Sequence, residues 1–206
     1  MATIVGGPDV LWALDAEPVP DEPFAWSSVD EHDRDYVTQV LALSDACCDG
    51  LFDVEFRTIA RRILARVAAR DPLPLRRNLD ASRSAAGLVW LVYQASGDSD
   101  RRNARPARPI WEWFGVRNAS DRGRALRAAA GLVPESIPVD RLPTAMILGD
   151  AGLLHSSYRA RLLRRRDATA EILQLARNAV AAPTGAAGAG RGATVISPRF
   201  GGSRPA

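Results

Sequence analysis

Apolar positions recur at helical spacing through most of this chain. Phe56, Ile59, Ala60, Ile63, Leu64 and Val67 follow i, i+3, i+4, i+7, and Arg57, Arg61, Arg62, Arg66 and Arg70 fill the rest of the turn. That is an amphipathic helix with one face for a core, and Asp71-Pro72-Leu73-Pro74 ends it. Upstream, Ser27 or Ser28 is a fitting N-cap, with Asp30 and Glu31 in the first turn, where negative charge suits the helix dipole. The helix is predicted to run to about Cys48, with Gly50 able to stop it. From Asp80 to Ser96 the run DASRSAAGLVWLVYQAS is apolar on nearly every side in its middle. A helix of that kind belongs at the centre of a bundle. LVWLVY alone would also serve as a buried strand, but Ala81, Ala85, Ala86 and Ala95 flank it and no partner strands lie nearby.

Between Pro109 and Leu132 a short aromatic helix, PIWEWF, runs into Gly115-Val116, and an arginine-studded helix follows with Ser120 as its N-cap and Gly131 just past its end. This is the outline of a helix-turn-helix. Gly97 to Arg108 reads as an exposed loop, and Pro134, Pro138 and Pro143 mark a linker. Leu153, Leu154, Tyr158, Leu162, Leu163, Ile172, Leu173, Ala176 and Val180 then give one long helix, or two split near Asp167. The expected fold is all-α: a helical bundle with a helix-turn-helix-like pair, a helical C-terminal extension and a disordered tail. Its parts are an irregular acidic arm (1–27), a helical domain (28–132), linker and extension (133–182) and an Ala/Gly/Pro-rich tail (183–206). Leu11, Trp12, Leu14, Phe24 and Trp26 are the arm's isolated anchors.

A chain of 206 residues, 47% apolar, can bury one good core. No apolar run approaches the roughly 20 residues of a membrane span, and the opening MATIVGGPDVLWALDAEP has no basic region ahead of an apolar one. A cytoplasmic protein with no membrane association is expected. Cys47 and Cys48, being neighbours, read as small buried apolar residues rather than a disulfide or redox pair. His32 and His155 have no metal-ligand spacing, so no metal or cofactor is expected.

Charge is divided along the chain. Through Phe52 eleven acids face Arg34 alone, a balance of −10; the remainder carries +13, for the net +3. Every basic residue is arginine. A GC-rich genome accounts for arginine over lysine, but not for where the arginines gather. Eight lie between Arg101 and Arg127, against Glu112 and Asp121. A second group (Arg159, Arg161, Arg164, Arg165, Arg166) is interleaved with Leu162 and Leu163. It suits DNA backbone, an acidic partner or an anionic surface, or the chain's own acidic arm in an autoinhibitory or dimer-forming contact.

The acid-rich helix, the arginine-faced helix and the Ala-rich SRSAAGLVWLVYQAS precede a short helix, a Gly-Val turn and a final helix. Over residues 30 to 132 this resembles the cyclin-box arrangement of transcription factor IIB-type repeats. It is also similar to uncharacterised bacterial helix-turn-helix domains with an apolar Ala/Gly/Val helix before the pair. The chain departs from the pattern at Trp111, where a small residue is usual, at Asp121, where an apolar anchor is usual, and at Gly123, which weakens a helix by about 1 kcal/mol relative to Ala.

A recognition helix reaches base edges with its N-terminal residues. Arg117, Asn118, Arg122, Arg124 and Arg127 are therefore the candidate nucleic-acid contacts, with Arg127 pointing outward. Double-stranded DNA is the expected partner and a transcriptional-regulator-like role the expected function. Trp111, Trp113 and Phe114 suit packing better than base stacking. The alternative is a non-enzymatic adaptor binding a protein through a cyclin-like bundle, and the C-terminal helix is a candidate surface for a second copy or a protein partner. No nucleophile elbow, P-loop or dinucleotide fingerprint is present. Asp150 with His155 is the one acid–histidine couple that a small hydrolase would use, with Asp150 otherwise a helix cap. No catalytic residue is expected.

Overall fold

The computed structural model of the protein describes residues 1–77, 80–96, 107–132 and 148–181, the last of them in part by backbone alone. Among these there are nine α-helices and no strand. The predicted linker, most of the loop after Gly97 and the tail from 183 lie outside the described residues. The chain forms two units, Met1–Ala168 and Thr169–Ala206.

The first unit is a helical bundle around α6 (Ala81–Ala95). Asp80 caps it by accepting the Arg83 N–H, and every residue from Ser84 to Tyr93 is buried. The all-round apolar pattern thus marks the central helix, as expected. Against it pack α3 (Arg34–Leu51), α4 (Val54–Arg70), α7 (Arg108–Phe114) and α8 (Ser120–Ala129). In α4 the predicted stripe faces inward: Ile59, Ala60, Ile63, Leu64 and Val67 are fully buried. Asp53 is its N-cap, accepting the Phe56 N–H at 2.9 Å.

Helix α3 begins later than predicted, after one-turn 3-10 helices at Trp26–Ser28 and Glu31–Asp33. The α4 stop is followed by a further single turn, α5 (Leu73–Arg77), whose Leu75 is buried. The arm is not irregular throughout. It folds into α1 (Ala2–Val5) and α2 (Pro8–Ala13), then runs extended with Val19 and Phe24 buried. Val5 and Leu11 form a small second core with Leu154 and Leu162.

Four of the five arginines on the polar face of α4 are clasped by carboxylates rather than solvated. Arg57 pairs with Asp21 and Asp49, Arg61 with Asp21 and Asp45, Arg62 with Glu22, and Arg66 with Asp150. Arg62 holds the Glu22 carboxyl below its usual range, as Arg76 holds that of Asp33. The acidic arm also meets part of the later arginine group, Arg159 pairing with Asp15 at 2.9 Å. Arg166 donates to the Leu11 and Trp12 carbonyls.

Helix α9 (Ser156–Ala181) is continuous through Asp167, so of the two readings the single helix holds. Asp150 caps a one-turn 3-10 helix ahead of it, Ala151–Leu153, by accepting the Gly152 N–H. From Thr169 onward α9 belongs to the second unit, where Ile172, Leu173 and Leu175 are exposed.

Candidate nucleic-acid interface

Helix α7 starts with Pro109 in its first turn, where a missing N–H costs nothing. Ile110 is buried, and the half-buried Trp111 tilts against Trp90 of α6 with ring centroids 6.3 Å apart. The bulky residue in place of a small one is thus absorbed by aromatic packing on the central helix. Trp113, 46% exposed, lies over Gly50 of α3. The helix ends at Gly115 with φ 65°. The Val116 N–H bonds to the Trp111 carbonyl and the Gly115 N–H to that of Glu112, a Schellman close that needs the left-handed residue.

Through the turn, Asn118 Oδ1 accepts the Ser120 N–H at 2.7 Å. This replaces the predicted Ser120 cap: Ser120 is the first helical residue and its own N–H is satisfied from two residues back. Helix α8 then crosses α6 at two glycines. A Cβ on Gly123 would stand 2.7 Å from the Gly87 carbonyl oxygen and 2.5 Å from Trp90 Cε3. Gly123 is therefore the point of closest approach, and its weakness as a helix former is offset by that contact. Leu126 and Ala129 complete the buried side.

The five candidate contacts divide by direction. Arg117, Asn118 and Arg124 are exposed, and Arg124 makes an ion pair with Asp121. Arg122 turns inward: its Nε and Nη2 donate to Ser84 Oγ of α6 at 2.9 and 2.8 Å, and Tyr36 OH lies 2.8 Å from the same oxygen. Arg127, expected to point out, is half-buried. Its Nε donates to the Leu132 carbonyl, its Nη2 is buried with no acceptor among the described residues, and burial draws its guanidinium below the ordinary arginine value. The reason is helical phase: Arg127 stands about 40° from buried Gly123 and about 60° from buried Ala130, close enough to be drawn under the C-terminal turn. The outward side of the pair is thus Arg117, Asn118 and Arg124 together with Arg108, which is held by Glu112 at 2.6 Å.

Asp150 and His155 do not pair. Asp150 binds Arg66 and caps the 3-10 turn, while His155 turns to the start of α4. The Ser157 N–H meets His155 Nδ1 at 3.1 Å, so the ring proton sits on Nε2, facing Asp53 Oδ2 at 3.0 Å and Glu55 Oε2 at 3.3 Å. Ser157 Oγ lies 2.9 Å from Nδ1. Serine, histidine and aspartate stand in a row, the order of a proton relay, and the bonds around them also tie the segment down. The N–H groups of Ser156, Ser157 and Tyr158 are taken by Glu55, by the His155 ring and by the His155 carbonyl. None of these three is available as an oxyanion donor. Buried Glu55 also accepts Ser156 Oγ–H and the Val19 N–H and lies 3.5 Å from Arg159. Phe56 N–H and His155 outweigh the effect of burial on Asp53 and leave its carboxyl below the usual range. The cluster fastens the start of α9 and the arm to α4. Sequence reading missed it because its members stand about a hundred positions apart.

Cys47 and Cys48 are buried and unpaired. Burial pushes the Cys47 thiol up to about 12 and Cys48 higher still, so neither supplies a thiolate. No family model matches the chain, nor does any curated protein or any solved structure.

Proposed function

We propose that the protein binds double-stranded DNA through the α7–turn–α8 pair and acts as a transcriptional-regulator-like protein. One observation carries the reading: a left-handed glycine turn joins a short helix to a second one seated on the buried central helix, with Arg117, Asn118 and Arg124 on the outer side. Arginine and asparagine at the start of such a helix are the side chains that pair with guanine and adenine edges or with phosphate. Arg122 and Arg127 fix the helix that presents them and are not counted as contacts.

The test uses the Arg117→Ala/Arg124→Ala double variant, whose side chains are exposed, in an anisotropy titration of random duplex DNA over a salt series. Affinity is expected to fall, and the slope of log K against log salt to shrink by about 2, since each phosphate neutralised contributes about 0.9. A double variant with unchanged affinity and slope removes the assignment. A second reading, the protein–protein adaptor, draws support from exposed Ile172, Leu173 and Leu175 on α9, an apolar group of the kind that contacts a protein partner or a second copy. Salt-insensitive DNA titrations together with an oligomer lost on Ile172→Ser/Leu175→Ser would favour it.

A further inference from the structure

Arg70, at the last turn of α4, is exposed and makes no hydrogen bond or ion pair with any described residue, yet it is not loose on the surface. Its guanidinium lies on Gly131. A Cβ there would stand 2.6 Å from Arg70 Cζ and 2.7 Å from Nε. A cation near a helix C-terminus is commonly explained by the dipole and the free carbonyls. Here the carbonyls of Arg127 and Ala128 are already engaged, by the Leu132 and Gly131 N–H groups. The end of α8 closes without Arg70.

Arg66, Ala69, Arg70, Ala130 and Gly131 line an open cleft of about 460 Å³. Arg66 has one carboxylate, Asp150 Oδ2 at 2.5 Å. Of the two guanidiniums in the lining, that of Arg66 is paired and that of Arg70 has no carboxylate within ion-pair distance among the described residues. Gly131 also borders a hollow of about 380 Å³, walled by small side chains and backbone that include Thr3, Pro8, Leu132 and Leu148.

We propose that this cleft binds a small phosphomonoester, its phosphate on Arg70 and Arg66 and its organic body in the adjoining hollow. Two guanidiniums four residues apart on one helix face suit a dianion, and a phosphomonoester is one above its second pKa of about 6. Arginine forks suit phosphate oxygens in pairs. The proposal is independent of DNA binding by the α7–α8 pair.

Calorimetric titration of the full chain with phenyl phosphate, and separately with inorganic phosphate, tests it. Saturable one-to-one binding is expected, tighter for phenyl phosphate and weaker below about pH 6, where the ligand becomes a monoanion. Arg70→Ala should weaken binding about tenfold or more, the scale of a lost charged hydrogen bond, without shifting the unfolding midpoint. Gly131→Ala, whose Cβ crowds the guanidinium, should also weaken binding, but with a lower unfolding midpoint because φ there is 67°. Equal binding by Arg70→Ala, or no saturable heat with either probe, overturns the proposal. If Arg70→Ala instead lowers duplex DNA affinity while phenyl phosphate shows no binding, the cleft holds a backbone phosphate and the small-ligand assignment fails. The Arg117/Arg124 double variant, retaining phenyl phosphate binding, keeps the two sites distinguishable.

Discussion

At Gly123 two tendencies of one residue oppose each other. Helix propensity alone favours alanine there by about 1 kcal/mol. Packing forbids it, because the new Cβ would meet the Gly87 backbone and the face of Trp90. Overpacking of a tight contact costs about 1–3 kcal/mol, and a backbone atom cannot step aside as a flexible side chain does. Gly123→Ala is therefore expected to lower stability by up to about 2 kcal/mol, seen as a lower urea midpoint. A midpoint above that of the wild type would mean that the crossing is looser than described. The same residue shows what sequence could not convey. Its cost to the helix is legible from residue type, whereas its purpose depends on Gly87, 36 positions earlier. Arg122 and Arg124 are a similar case. They look alike in the sequence, yet two steps along a helix turn them about 200° apart, and Ser84 takes one while solvent keeps the other.

Among the elements, α4 and α6 were legible because long periodic stretches fix both type and buried side. The helices α1, α2 and α5 were not. At four to six residues each they lie below the length at which local propensity can nucleate a helix, and tertiary packing of Val5, Leu11 and Leu75 holds them. The placement of α8 depends on the Tyr36–Ser84–Arg122 group as well as on the glycines. Ser84→Ala removes the acceptor of two guanidinium N–H groups in a part-buried position, a change worth about 1–3 kcal/mol. Faster amide exchange concentrated in residues 120–130 is expected. Exchange that quickens evenly over α3, α4 and α6 instead would show that Ser84 supports the bundle at large and not α8.

For the molecule as a whole, the division of charge along the chain becomes contact between its early and late parts. Asp21 and Glu22 close on α4, Asp33 on Arg76, and Asp15 on Arg159. Sequence showed the imbalance but not the pairing, since one-dimensional spacing does not say which arginine an acid will meet. Glu22 and Asp33 have native carboxyls held below their ordinary values of 4.5 and 3.8. Groups shifted this way add stability that is complete above those values and is lost as pH falls through the lower native ones. Exposure of Glu22 and Arg76 to solvent keeps the contribution of both pairs small at neutral pH. Urea midpoints measured from pH 7 down to pH 2 should accordingly decline less steeply for Glu22→Gln/Asp33→Asn than for the wild type. Parallel acid profiles would show that these pairs do not contribute.

The bonds among Asp15, Glu55 and Arg159 join positions 104 and 144 apart in the chain. Closing such long loops is entropically costly and comes late, after the local helices have collapsed together. Interactions absent from the folding transition state govern how fast a protein comes apart rather than how fast it assembles. The anchor of α9 is thus expected to act as a kinetic lock: weakening it should raise the unfolding rate in denaturant-jump kinetics while leaving the folding rate nearly unchanged.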